Sequence, residues 1–129
     1  MIVGYGIDIM NTARIRTVID RYGESFLKRV YTLREREYAD RRIRGSEQVY
    51  AAFWATKEAV MKALGTGARH GVFFKDIEVM HERSGRPYVR LSGASKVFSE
   101  SLGADNILVS MSHLEELVVA TAILEKTSS

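Results

Sequence analysis

Val49-Tyr50-Ala51-Ala52-Phe53-Trp54-Ala55-Thr56-Lys57-Glu58-Ala59-Val60-Met61-Lys62-Ala63-Leu64-Gly65 is the stretch that decides the fold. Val49, Ala52, Phe53, Ala55, Ala59, Val60, Ala63 and Leu64 cover most sides of a helix, so residues 47–64 are expected to form a central, largely buried helix. Gly65 stands where a left-handed C-terminal cap belongs.

Upstream, residues 2–9 are rich in β-branched and aromatic side chains and read as a strand. Gly4 and Gly6 either weaken that strand or let another backbone come close. Asn11 or Thr12 is placed to cap a helix whose apolar stripe is Ile15, Val18, Ile19 and Tyr22. Arg14, Thr17 and Arg21 form a separate stripe, and Gly23 ends or interrupts the helix. Residues 25–43 read as short helices with a mostly polar surface.

Downstream, Gly65-Thr66-Gly67 makes a small-residue loop. Residues 76–82 and 87–91 are expected to pair as a hairpin around Arg83-Ser84-Gly85-Arg86. Ser92 is placed to cap a helix over 94–102 that Gly103 stops. Residues 107–112 and 117–124 read as a closing pair of strands. Strands and helices in this order predict an α+β fold, a mainly antiparallel sheet packed on the long helix.

The length of 129 residues fits one domain, spanning 1–129. No apolar run approaches the ~18 residues of a membrane span, and no basic leader precedes an apolar segment. No membrane association is expected. The chain has no cysteine, which removes disulfides, thiolate metal sites and cysteine nucleophiles. The expected compartment is the cytoplasm. Residues 14–44 hold ten Lys/Arg against five Asp/Glu, an excess greater than the whole-chain net charge of +3. A basic face of this kind fits an acidic partner, or is simply a solvated helical surface. Aromatic side chains are not interleaved at a stacking period, so single-stranded nucleic acid is not favoured, and no nucleic-acid partner is expected.

Asp8 lies near the end of a strand otherwise suited to burial, and Glu58 lies among apolar neighbours. A carboxylate in such a place is costly unless paired or bound to a cation. Magnesium is held by one or two carboxylates together with substrate phosphates and water, so two acids on different elements suffice. Each acid also fits a plainer role. Asp8 can help start the next helix, and Glu58 precedes Lys62 by four residues, the favourable order for a helical ion pair. Lys57 and Lys62 can likewise be surface charges. Gly65 and Gly67 present no bulk, so a phosphate or ribose can approach their backbone closely. Ser110-Met111-Ser112-His113 does not read as a hydrolase triad, because adjacent strand residues face opposite sides and no Gly-x-Ser-x-Gly elbow is present. His70 and His81 are expected at the surface.

Four ordered segments together resemble the holo-acyl-carrier-protein synthases, the small phosphopantetheinyl transferases. They are Gly4-Tyr5-Gly6-Ile7-Asp8-Ile9 with Arg14-Ile15, the run from Trp54 through Lys57-Glu58 and Lys62 to Gly65-Thr66-Gly67, Gly85-Arg86-Pro87, and Ser110-Met111-Ser112-His113 with Ala120 and Ala122. The resemblance implies the phosphopantetheinyl transferase fold. It implies magnesium-dependent transfer of 4′-phosphopantetheine from coenzyme A to a serine of an apo acyl carrier protein, releasing adenosine 3′,5′-bisphosphate. Asp8 and Glu58 would hold Mg²⁺ with the pyrophosphate, and Lys62 would sit on the phosphates, with all three acting in catalysis. Gly65, Thr66 and Gly67 would line the nucleotide, with Ser112 and His113 beside it. Arg14 and Arg21 would dock the acidic carrier. A homotrimer with each site shared between two subunits is also implied.

Two positions depart from the family pattern. The residues after Asp8 include neutral Asn11, Thr12 and Ala13 where an acid is common. Position 53 is Phe where Arg is frequent, which leaves a nucleotide contact to be supplied elsewhere, with Arg69 or His70 as candidates. A basic nucleic-acid-binding module and a non-catalytic scaffold are the competing readings. Neither requires magnesium-dependent binding of coenzyme A.

Overall fold

The computed structural model describes residues 1–127. Strand β1 (Ile2–Asn11) leads into helices α1 (Thr12–Tyr22), α2 (Glu24–Val30), α3 (Leu33–Asp40) and the long α4 (Ser46–Leu64). A 3-10 turn (Phe74–Asp76) precedes the hairpin β2 (Ile77–His81) and β3 (Pro87–Leu91). Helix α5 (Gly93–Ser101), β4 (Asn106–His113) and β5 (Leu117–Glu125) complete an α+β fold. The main sheet has the order β1-β5-β4 and is antiparallel throughout, while β2 and β3 form a separate two-stranded sheet. Among the described residues no helix is long and apolar enough to cross a membrane.

The sheet lies against α4, and small residues set how close it comes. On the inner face of β1, Gly4 and Gly6 pair across the sheet with Leu124 and Ala122. A Cβ built on Gly4 would stand 2.3 Å from the Ala63 carbonyl oxygen. The second reading of these glycines, close backbone approach, is therefore the one the structure adopts. Ala55, Ala59, Ala120 and Ala122 are fully buried. On the other face of β1, Tyr5, Ile7 and Ile9 are exposed, at 78%, 58% and 60%.

Local signals act as their chemistry dictates. The Asn11 side chain accepts from the Ala13 N–H, and Gly65 caps α4 at φ 81°. Thr32 and Glu35 form a reciprocal capping box at the start of α3. Three expectations need correction. Tyr22 is 56% exposed, because Ile15 alone anchors the α1 stripe fully. Residues 25–43 are less polar in role than in composition, since Phe26, Val30, Tyr31 and Ala39 enter the core. Ser92 starts α5 without a side-chain cap, because its hydroxyl faces the Asp76 carbonyl.

Candidate active site

Strand β1 and helix α4 bring Asp8, Glu58 and Lys62 to one cleft of about 750 Å³. Asp8 follows Gly6 by two residues and so points to the same, inner side of β1. Glu58 and Lys62 lie one turn apart on α4. The anticipated Glu58–Lys62 pair does not form. Lys62 reaches across to β1, where its Nζ donates to the Ile7 carbonyl at 3.0 Å and to Asp8 Oδ1 at 3.1 Å. The Glu58 carboxylate accepts no side-chain hydrogen bond among the described residues, and its backbone is taken up in α4. Burial pushes the Glu58 carboxyl above its ordinary pKa, the nearby Asp8 charge pushes it further, and Lys62 pulls it back. Lys62 is thus committed to Asp8, and the Glu58 carboxylate in the same partly desolvated cleft is left without an ion-pair partner among the described residues.

That donor set suits a hard divalent cation. Among the described residues, Asp8 and Glu58 are the only carboxylates lining the cleft, and no His accompanies them. Among the described residues no three His, Asp or Glu converge as a complete cage. Two carboxylates that leave the remaining positions to phosphate and water are a magnesium-type arrangement.

The remaining wall combines charge with apolar surface. Arg14 and Arg29 line the cleft with Ile15, Val18, Phe26 and Trp54. Arg29 was not among the residues singled out from sequence. Its place beside Arg14 depends on how α2 packs against α1. Arg21 is exposed on α1 but outside the cleft, its guanidinium carbon 5.7 Å from the Tyr22 ring centroid.

Gly65-Thr66-Gly67 lies at the carboxyl end of α4 and lines neither this cleft nor the next. The N–H groups of all three residues are already used. Gly65 donates to the Lys62 carbonyl, and Thr66 and Gly67 donate to that of Met61. The Gly65 and Gly67 Cβ positions face open space. The loop thus offers room without free amide donors, at the negative end of the helix dipole. That environment favours a sugar or base over a phosphate.

Ser112 and His113, at the end of β4, lie in a second pocket of about 190 Å³. It shares no lining residue with the carboxylate cleft. His81 also lines it, half-buried rather than at the surface, with its ring flat on Tyr38 at 4.2 Å. Burial and the Arg42 charge hold the His81 pKa below its ordinary value.

Lys57 is the largest departure from expectation. It is fully buried, not a surface charge. Its Nζ donates to Glu35 Oε1 at 2.9 Å, the Phe74 carbonyl at 2.9 Å and the Ile77 carbonyl at 2.6 Å, using all three ammonium protons. Glu35 in turn accepts from the N–H groups of Thr32 and Val79. Burial lowers the Lys57 pKa and raises that of Glu35, while their mutual attraction opposes both shifts.

Residues 4–122 match the family model described as the 4′-phosphopantetheinyl transferase superfamily. The chain belongs to this superfamily. Its similarity to a holo-[acyl-carrier-protein] synthase of Solibacter usitatus is 46% identity over 125 residues, covering 97% of this chain and 99% of the relative. The crystal structure of the Neisseria meningitidis holo-[acyl-carrier-protein] synthase has a TM-score of 0.89 at 32% identity, covering 98% and 100% of the two chains. A Bacillus anthracis holo-(acyl-carrier-protein) synthase in complex with CoA (3′,5′-ADP) has a TM-score of 0.81 at 34% identity, covering 98% and 99%. As a member of the phosphopantetheinyl transferase superfamily, the chain has the α+β fold expected from its sequence.

Proposed function

We propose that the protein transfers 4′-phosphopantetheine from coenzyme A to a serine hydroxyl of an acidic acyl carrier protein, with magnesium required. One observation carries the reading: Asp8 and Glu58 share a partly desolvated cleft on different elements, with Lys62 beside them. The likeness to holo-acyl-carrier-protein synthases, one of them bound to coenzyme A, supports the same substrates.

In this reading the carrier serine oxygen forms a bond to the β-phosphorus of coenzyme A. The bond from that phosphorus to the bridging oxygen breaks, and adenosine 3′,5′-bisphosphate departs. Asp8 and Glu58 would hold magnesium, which when bound neutralises the diphosphate and polarises the phosphorus. Glu58 is the base at hand, because Asp8 is tied to Lys62 while the Glu58 carboxylate accepts no hydrogen bond among the described residues. Glu58 takes the serine proton, and the Lys62 ammonium steadies the negative charge on the leaving bisphosphate. Arg14 meets the acidic face of the carrier at the lip of the cleft.

A homotrimer in the cytoplasm completes the proposal. The exposed Tyr5, Ile7 and Ile9 give β1 an apolar outer face for a neighbouring copy. The separation of Ser112 and His113 from the carboxylate cleft fits a nucleotide site shared between copies.

The test is mass spectrometry of an apo carrier after incubation with protein, coenzyme A and Mg²⁺. The carrier gains one phosphopantetheine only when all are present. An unchanged mass, or full transfer in the presence of excess chelator, refutes the proposal.

A further inference from the structure

Lys57 has no step in the proposed transfer and lines neither pocket, yet it belongs to a closed ring of contacts that reaches the cleft. Its Nζ holds the Phe74 carbonyl at 2.9 Å, in the 3-10 turn that leads to β2. The Phe74 ring is stacked on Trp54, with centroids 4.4 Å apart and planes inclined by 22°. Trp54 meets Phe26 at 5.9 Å, and Phe26 meets Tyr31 edge-on at 5.9 Å. Tyr31 closes the ring, because the Lys57 Nζ stands 5.9 Å from its centroid. The Tyr31 hydroxyl donates to the Tyr50 carbonyl at 2.8 Å, which anchors that ring to α4.

Two members of this ring belong to the cleft wall and three do not. Phe26 and Trp54 line the cleft with Glu58, while Lys57, Phe74 and Tyr31 stand behind them. Trp54 precedes Glu58 by one turn of α4, so both side chains lie on one stripe. Lys57 is next to Glu58 in the chain but faces the core. Its bonds to the Phe74 and Ile77 carbonyls hold the turn that carries the Phe74 ring, and an apolar side chain cannot replace them. Arg14 and Arg29 share the cleft with the Trp54–Phe26 wall, so cationic and apolar contacts to an acidic, amphipathic partner come together there. We propose that Lys57 is a positioning residue for carrier docking. By fixing the Phe74 turn and Tyr31 it sets the Trp54–Phe26 wall against which the carrier seats beside Arg14.

The inference rests on the transferase reading, so its test pairs a measurement that needs no turnover with one that does. Trp54 is the only tryptophan of the chain, and its fluorescence reports on the wall directly. Two probes are compared with the wild type. Lys57→Met combined with Glu35→Leu removes the buried ion pair as a unit and leaves no unpaired charge. Phe74→Leu removes the supporting ring and keeps Lys57. Each is expected to shift the Trp54 emission and to raise the KM for the carrier about three- to tenfold, the worth of one aromatic contact. The kcat and the KM for coenzyme A should stay at their wild-type values. Combining the probes should raise the carrier KM no further, because both act through Trp54. Unshifted emission with an unchanged carrier KM in folded variants overturns the positioning role, as does a fall in kcat alone or an additive rise in the combination. Should the Lys57 probe fail to fold, Phe74→Leu decides by the same criteria. A wild type that transfers nothing sinks the transferase reading, and the emission shift then judges the wall by itself.

Discussion

Gly6 and Ala59 are in backbone contact: a Cβ on Gly6 would stand 2.1 Å from the Ala59 carbonyl oxygen. This approach brings Asp8, two residues along β1, to the same cleft as Glu58, the neighbour of Ala59 on α4. The glycine is thus part of the site's geometry. Gly6→Ala must move a strand or a helix, at a cost of about 1–3 kcal/mol typical of overpacking. Thermal unfolding should show a lower midpoint, and transfer by the folded fraction should also fall as Asp8 shifts. A variant with wild-type stability and turnover would show that the approach has slack.

The buried Lys57–Glu35 pair ties α4 to α3 and to the turn before β2. Removing one partner leaves the other charge unpaired in the core, so Lys57→Met should cost about 3–5 kcal/mol. Adding Glu35→Leu should recover part of that loss, because the two sites are coupled. Denaturant unfolding of both single variants and the double variant measures the coupling. Additive losses would contradict the pairing.

The long helix, the capped β1–α1 junction and the hairpin were legible because their signals are local: apolar coverage, a cap residue, a turn. The identity of Lys57 as a core cation was not. A lysine next to a glutamate on a helix looks the same whether it faces water or a carboxylate from a helix more than twenty positions earlier. Lys62 likewise chose Asp8 on another element over Glu58 one turn away, a choice fixed by tertiary packing. Arg42 and Arg44 looked like part of a general basic surface. Only the fold sets them in one pocket with His113.

The raised pKa of Glu58 gives a stability prediction with a definite sign. Between its ordinary value of 4.5 and its raised value in the fold, the folded chain binds more protons than the unfolded one. Stability contributed by protonated Glu58 is therefore fully present below the ordinary value and lost as pH rises through the raised one. Glu58→Gln, which does not titrate, should match the wild type in acid and exceed it at neutral pH without metal, while losing nearly all transfer. Melting curves across pH check the first part. A variant less stable at neutral pH would contradict the strain assigned to Glu58.

Arg14 is exposed on the lip of the cleft, so its contribution to carrier docking is screened by salt. Arg14→Glu should raise the KM for the carrier several-fold at low ionic strength. The defect should shrink in ~1 M salt, where the screening length is about 3 Å. A defect of constant size would point to lost packing instead of lost charge.

The joint grip of Asp8 and Glu58 on a divalent ion is tested most directly by electron paramagnetic resonance of Mn²⁺ standing in for magnesium. With coenzyme A present, the wild type should remove the free-ion signal at one equivalent. Folded Asp8→Asn and Glu58→Gln variants should leave most of it in solution. Equal uptake by the wild type and both variants would contradict the account.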